Sequence, residues 1–406
     1  MHEILIINHY ANPDSGRHFQ LARELVRRGY GVTIAAASFQ HKTNAQRTGA
    51  VVSEGIKFIF VPTCSYRGNG PGRVINMLQF AARVKGCLPG GYRPDVVIAS
   101  SVHPFSWRAG DRIARKANAP FIAEVRDLWP QTLIDMGAIG DKSIIAWFFR
   151  RLERRAYKNS RHIITLLPAA DLYICSKHGV NRDKITHISN GVNLAEFDRY
   201  AQENAGKAEE ILRPYKNKYI VAYTGAMSRA NQMDTIIGAA REVAAAGADR
   251  ICFLLFGQGT EVERLKSETA EMGLDNVHFM GQQPYSLIPA LLRGCHLNIV
   301  AMKNIDLYQY GISLNKLYVY LASGKPIVFS GKVANDLVRE ARAGISVPPE
   351  DSKAVAQAIM AIMADEDMAW EMGLRGRRLA EEEYDIPILT NKLENLIARC
   401  LSNECN

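Results

Sequence analysis

No C-x-x-C pair occurs in the 406 residues, and the seven cysteines are odd in number and scattered. That spacing supports neither a zinc site nor a disulfide framework, and it fits a reducing compartment. Long apolar runs are missing as well. The uncharged apolar run near the middle, residues 144–149, falls far short of the ~20 residues that span a bilayer. Nothing ahead of the strand-like residues 3–8 reads as a basic leader with an apolar core, so a cytoplasmic location is expected. Gly-x-Gly-x-x-Gly is absent after the first strand, which counts against a dinucleotide-binding dehydrogenase. Aromatic platforms and a recognisable reading helix for nucleic acid are also absent, so the net charge of +9 needs another anionic partner.

That charge is uneven. Residues 1–200 hold 28 Lys and Arg against 15 Asp and Glu, whereas the remainder holds 22 against 26. A basic half followed by a mildly acidic one points to an anionic partner for the first half, and a membrane surface or phosphorylated lipid fits best. Both halves alternate short apolar strands with helical patterns, which predicts two parallel sheets covered on both faces. The polar, charged stretch 198–217 is expected to be the connector between them. We therefore expect one domain over 1–200 and a second over 215–385, with a last helix, about 386–402, packing back on the first.

The most telling segment runs from Ser313 to Val328. A polar loop opens a helix, Lys316 falls in its first turn, Gly324 ends it, and Lys325-Pro326 leads into a buried strand. A helix start with free N–H groups, the positive dipole end and an ammonium make a seat for phosphate. A plain helix-to-strand connector would look similar. The added weight comes from Tyr223-Thr-Gly225, Phe256-Gly-Gln-Gly259 and Met280-Gly281, each placing glycine just after a strand, where the backbone can approach a ligand closely. Asn12-Pro-Asp-Ser-Gly16 repeats the idea before the helix that begins at Arg17.

Taken in order, these pieces resemble the retaining family 4 glycosyltransferases of the GT-B fold, in particular the group that builds bacterial O-antigen and capsule repeats and includes L-N-acetylfucosamine transferases. The resemblance is carried by residues 12–17 and 21–29, Glu124-Val-Arg-Asp-Leu-Trp-Pro130, Ser189-Asn-Gly-Val-Asn193, the glycine turns at 225 and 257–259, Asn315-Lys316 and Ala322-Ser-Gly-Lys-Pro326. It covers nearly the whole chain. It implies two doubly wound Rossmann-like domains, an N-terminal one for the acceptor and a C-terminal one for a UDP-sugar, facing a central cleft. It also implies retention and catalysis with no metal or other cofactor. Lys316 matches the position that contacts the diphosphate; Ser313, Leu314 and Asn315 match the backbone stretch meeting the phosphates or sugar. Gly16 matches the small residue facing the donor. The acceptor implied is a lipid-diphosphate-linked saccharide, met at the inner face of the plasma membrane.

Several positions depart from the family pattern. The usual Arg and Lys after the first C-domain strand are Ala226 and Asn231, with Arg229 between them as the expected substitute charge. The paired glutamates correspond to Gly311 and Val319. Arg126 stands where the family often keeps a histidine; beside it Asp127 is expected to orient the acceptor hydroxyl or take its proton, unless the two form a structural salt bridge. His103, after a strand, is a second candidate, with a capping or core role as the alternative. Trp147, Phe148 and Phe149 beside Arg150, Arg151 and Arg154 read as an interfacial helix for anionic lipid, or else as a core-packed helix with a solvated basic face. Two rivals stay open: a UDP-sugar 2-epimerase-like isomerase, and a non-catalytic subunit that kept the fold.

Overall fold

The computed structural model describes residues 1–41, 43–68 and 70–402. Two α/β units divide the chain. The first is Met1–Ser189 together with the residues from Ile386 onward, and the second is Asn190–Asp385.

In the first unit the strands are β1 (Glu3–Ile7), β2 (Gly31–Ala37), β3 (Ala50–Ser53), β4 (Ile56–Val61), β5 (Val96–Ser100), β6 (Phe121–Val125), β7 (His162–Thr165) and β8 (Ile185–His187). Their order is β3-β4-β2-β1-β5-β6-β7-β8. All pairings are parallel except the exposed β3–β4 edge. β1, β5 and β6 are buried almost throughout, which is why their residues run as continuous aliphatics rather than alternating. The helix Ile386–Leu401 lays Leu389, Leu393, Leu396 and Ile397 on the same core as Leu21 and Leu25 of the Arg17–Arg27 helix.

The second unit has β9 (Tyr219–Thr224), β10 (Ile251–Phe256), β11 (Val277–Gly281), β12 (Leu297–Ala301), β13 (Ile327–Ser330) and β14 (Gly344–Val347), all parallel in the order β11-β10-β9-β12-β13-β14. The order reverses between β9 and β12. In a sheet of this kind that reversal opens a crevice beyond the strands' carboxyl ends.

The stretch expected to be a connector is folded. Residues Leu194–Glu203 and Ala205–Leu212 are helices of the second unit. Most of their charged residues are exposed, while Leu194, Phe197, Ala201, Ala208 and Leu212 recur at helical spacing and are buried in its core. The chain enters the second unit at Asn190, ahead of the boundary read from composition. Among the described residues no helix is long and apolar enough to cross a membrane.

Candidate active site

Lys316 lies in the first turn of the helix Asn315–Ser323, at the carboxyl edge of the second sheet. The helix forms because Leu317, Tyr318, Tyr320 and Leu321 give it a buried face, and Gly324 stops it with a left-handed turn. No side chain caps its start, so the dipole's positive end stays uncovered by protein side chains. Tyr320 ties it to β9, its hydroxyl accepting the Thr224 N–H at 2.6 Å.

The Lys316 ammonium donates to the Tyr223 hydroxyl at 2.9 Å and to Asn231 Oδ1 at 3.0 Å, and lies 4.3 Å from the Tyr223 ring centre. The Tyr223 hydroxyl in turn donates to the Ala226 carbonyl at 2.7 Å. Among the described residues no carboxylate pairs with Lys316. Its surroundings are desolvating, and burial pulls its pKa down to about 7. A half-buried ammonium held only by neutral dipoles would gain from an incoming anion.

The glycines around it divide into two kinds. A Cβ on Gly225 would stand 3.1 Å from the Lys316 ammonium, so this glycine keeps space beside the cation. A Cβ on Gly257 would stand 1.8 Å from the Gly225 carbonyl, and one on Gly259 2.1 Å from that of Met227. Gly257 and Gly259 therefore allow a close approach of the protein's own backbone. Two backbone bonds, from Gly225 N to Phe256 O and from Met227 N to Gln258 O, hold the turns together.

The loop before the helix is clamped from two sides. Asn190 donates its backbone N–H to Ser313 Oγ at 2.9 Å and its side-chain amide to the Ser313 carbonyl at 2.7 Å. Asn335 accepts from Ile312 N and donates to Ile312 O. Ser313 thus spends its side chain on the clamp, Leu314 is the half-buried residue before the helix, and Asn315 is exposed. Arg229, the expected substitute charge, has its side chain 84% exposed and pairs with Glu261 at 3.7 Å. Asn231 contributes to the site instead, as an acceptor. Val319 is packed against the core and brings no carboxylate.

In the first unit, Gly16 precedes the Arg17–Arg27 helix with φ 93°, and a Cβ there would meet nothing within 4 Å, so its conformation and not crowding favours glycine. The next two residues lock onto β6. Arg17 Nε donates to Glu124 at 3.0 Å, His18 Nε2 lies 2.7 Å from the other carboxylate oxygen, and Arg17 also reaches the Ile188 and Ser189 carbonyls. Burial alone would raise the Glu124 carboxyl, but the His18 and Arg17 charges outweigh it and hold it well below the ordinary range.

Asp127 follows β6 and is exposed. The salt bridge to Arg126 considered from sequence is not formed: among the described residues Asp127 has no ion pair or side-chain hydrogen bond. Surrounding protein raises its carboxyl pKa, with Arg126 pulling the other way. Arg126 itself is fixed through its backbone, which donates to Ser101 Oγ at 2.8 Å. The structure places His103 in the core, as its alternative reading had it. It is fully buried at the start of the Pro104–Ala117 helix, 3.0 Å from His9 Nδ1, and burial drives both imidazoles to the neutral form.

On the helix Ile144–Asn159 the solvent-facing residues are Ile144, Ile145, Trp147 and Phe148, followed by Arg151, Arg154 and Arg155. Arg150 is held by Asp141. The helix buries Ala146, Glu153, Ala156 and Tyr157, and its outward face is apolar at the start and basic after it. No group of three or more His, Cys, Asp or Glu that could hold a metal ion occurs among the described residues. A hollow of about 1050 Å³ opens near Ile220 and His296, at the opposite edge of the second sheet from Lys316.

Sequence comparison matches residues 17–191 to the glycosyl transferase 4-like domain and residues 218–365 to the glycosyl transferases group 1 family. The chain is 24% identical over 276 residues to WcaI of Escherichia coli K12, a glycosyl transferase named for colanic acid biosynthesis; the match covers 66% of each protein. Its fold is similar to sucrose-phosphate synthase from Thermosynechococcus elongatus, with TM-score 0.79 and 18% identity over 99% of this chain and 100% of that one. It is also similar to HepE of Anabaena in complex with UDP-glucose, with TM-score 0.67 and 14% identity over 99% of both chains. Each of the two domains thus matches a glycosyltransferase family, and the fold is the one shared by the GT-B glycosyltransferases.

Proposed function

We propose that the chain moves a sugar from a UDP-sugar to a lipid-linked saccharide during surface polysaccharide assembly, at the cytoplasmic face of the membrane. The observation that carries this reading is the Lys316 ammonium, supplied with neutral partners only, at the uncapped head of a helix. When the bond from the anomeric carbon to the diphosphate oxygen breaks, negative charge gathers on the leaving group. An ammonium and a helix start already in place stabilise that charge without reorganising and without calling for a metal. The acceptor hydroxyl forms the new bond to the anomeric carbon. Its proton leaves to the departing phosphate on the same face, which retains the configuration, while Asp127 orients the hydroxyl. The names of WcaI and of the HepE complex support the polysaccharide setting and the UDP-sugar donor. We take the sugar to be an N-acetylated deoxyhexose such as L-N-acetylfucosamine.

Membrane contact is assigned to the Ile144–Asn159 helix. An exposed apolar end followed by arginines suits an interface of acyl chains and anionic headgroups. Lys316→Ala should lower transfer by about 100-fold or more while circular dichroism stays unchanged. Wild-type turnover in that variant would refute the assignment, and a changed sugar formed from the donor alone would point to an isomerase. For the membrane contact, Trp147→Glu with Phe148→Glu should abolish co-sedimentation with phosphatidylglycerol vesicles; undiminished binding would remove that part.

A further inference from the structure

The opposite edge of the second sheet holds a hollow of about 640 Å³, a volume typical of small-molecule sites. Tyr219, Arg250, His296 and Lys325, at or just before the amino ends of β9, β10, β12 and β13, form one wall. The helix Glu366–Leu379 forms the other with Trp370. Gly373 lets that helix touch the Gly324 backbone, where a Cβ would come within 2.1 Å of the carbonyl oxygen. None of these residues belongs to the donor site described above.

The charges here are not self-satisfied. Arg293 and Arg377 are both spent on Asp198, and Arg377 also caps the Ala322 carbonyl. Arg250 and Lys325, in contrast, have no carboxylate partner among the described residues. Glu366 is the one carboxylate in the lining. Lys325 is half-buried, and burial works against its charge. His296 accepts the Ile220 N–H on Nδ1 at 2.9 Å, which leaves Nε2 carrying the proton as a further donor. Trp370 is 68% exposed although it lines a concave wall. Arg250 and Lys325, with Lys218 also in the lining on the Asp249 carbonyl, and a neutral donor suit the several oxygens of a phosphate ester better than the two of a carboxylate. An open indole offers a face to a sugar ring or a base.

We propose that this hollow binds a phosphorylated ring compound, a sugar phosphate or a nucleoside monophosphate, with its phosphate on Arg250 and Lys325 and its ring on Trp370. The test uses the full chain carrying Lys316→Ala, so that binding at the donor site does not contribute. Glucose 1-phosphate, UMP and inorganic phosphate are each titrated by calorimetry and tryptophan fluorescence. One of the two esters should bind saturably and at least about tenfold more tightly than inorganic phosphate, and which one binds names the ring. Adding Arg250→Gln with Lys325→Gln should weaken it by about tenfold or more at unchanged melting temperature. Trp370→Leu should remove both the fluorescence change and the preference over inorganic phosphate. Absence of saturation by either ester, equal affinity for inorganic phosphate, or undiminished binding by the doubly substituted chain would each overturn the proposal.

Discussion

Arg17 in the first unit and Lys316 in the second both sit at the start of a helix beyond the carboxyl edge of a parallel sheet, yet they are held in opposite ways. Arg17 is buried against Glu124, with His18 on the same carboxylate and backbone carbonyls taking its remaining donors. Lys316 is given a phenol, an amide oxygen and an aromatic face, and no counter-charge. A cation neutralised by its own protein holds the fold. One held by neutral dipoles is kept in place while its charge stays available. The helix start therefore does not identify the ligand seat; what surrounds the cation does.

Breaking the first arrangement should have the largest effect on folding. Glu124→Gln leaves Arg17 buried without its partner and should cost about 3–5 kcal/mol, read from urea unfolding. Its pH signature follows from the depressed carboxyl: the stabilisation is present above the unfolded value near 4.3 and is lost as pH falls through the lower folded value. A loss below about 0.5 kcal/mol would show the cluster to be weakly coupled.

Gly257→Ala should come next, at about 2 kcal/mol or more, because φ is 151° and the new methyl would collide with the Gly225 carbonyl. Normal stability would mean that the two turns are free to separate. Smallest, and opposite in sign, is Lys316→Met. The lysine pKa is lowered by folding, so the unfolded chain binds more protons between about pH 7 and 10.4 and wild-type stability rises with pH across that window. Removing the ammonium should therefore raise stability at pH 6 by about 1 kcal/mol or less, with the gain shrinking as pH rises. A destabilised variant would mean that Lys316 is a structural cation like Arg17.

The strands and most of the covering helices were legible from sequence because aliphatic runs, helical spacing and glycine stops are local signals. The Lys316 helix could be read from its first residue to Gly324 for the same reason. What could not be read depends on partners far along the chain. Tyr223 and Asn231 come from the strand and turn that face Lys316, and nothing local in 219–231 marks a phenol and an amide as its acceptors. Asn190 and Asn335 clamp Ser313 and Ile312 across 123 and 23 positions. Glu124 lay inside a motif in which the more exposed Asp127 drew attention. His103 looked reactive because it follows a strand, but burial depends on His9, Phe80 and Phe105 packing around it. The misread connector shows the reverse case, where abundant surface charge hid a regular apolar spacing.

The central claim is that Lys316 carries an available charge for a diphosphate. UDP-glucose tests it cleanly, because its diphosphate does not titrate near neutrality. Calorimetry at pH 6 and pH 8.5 should show wild-type affinity falling by about tenfold or more as the free ammonium loses its proton, and weak, pH-independent binding by Lys316→Met. Equal affinity of the two proteins at pH 6 would contradict the account.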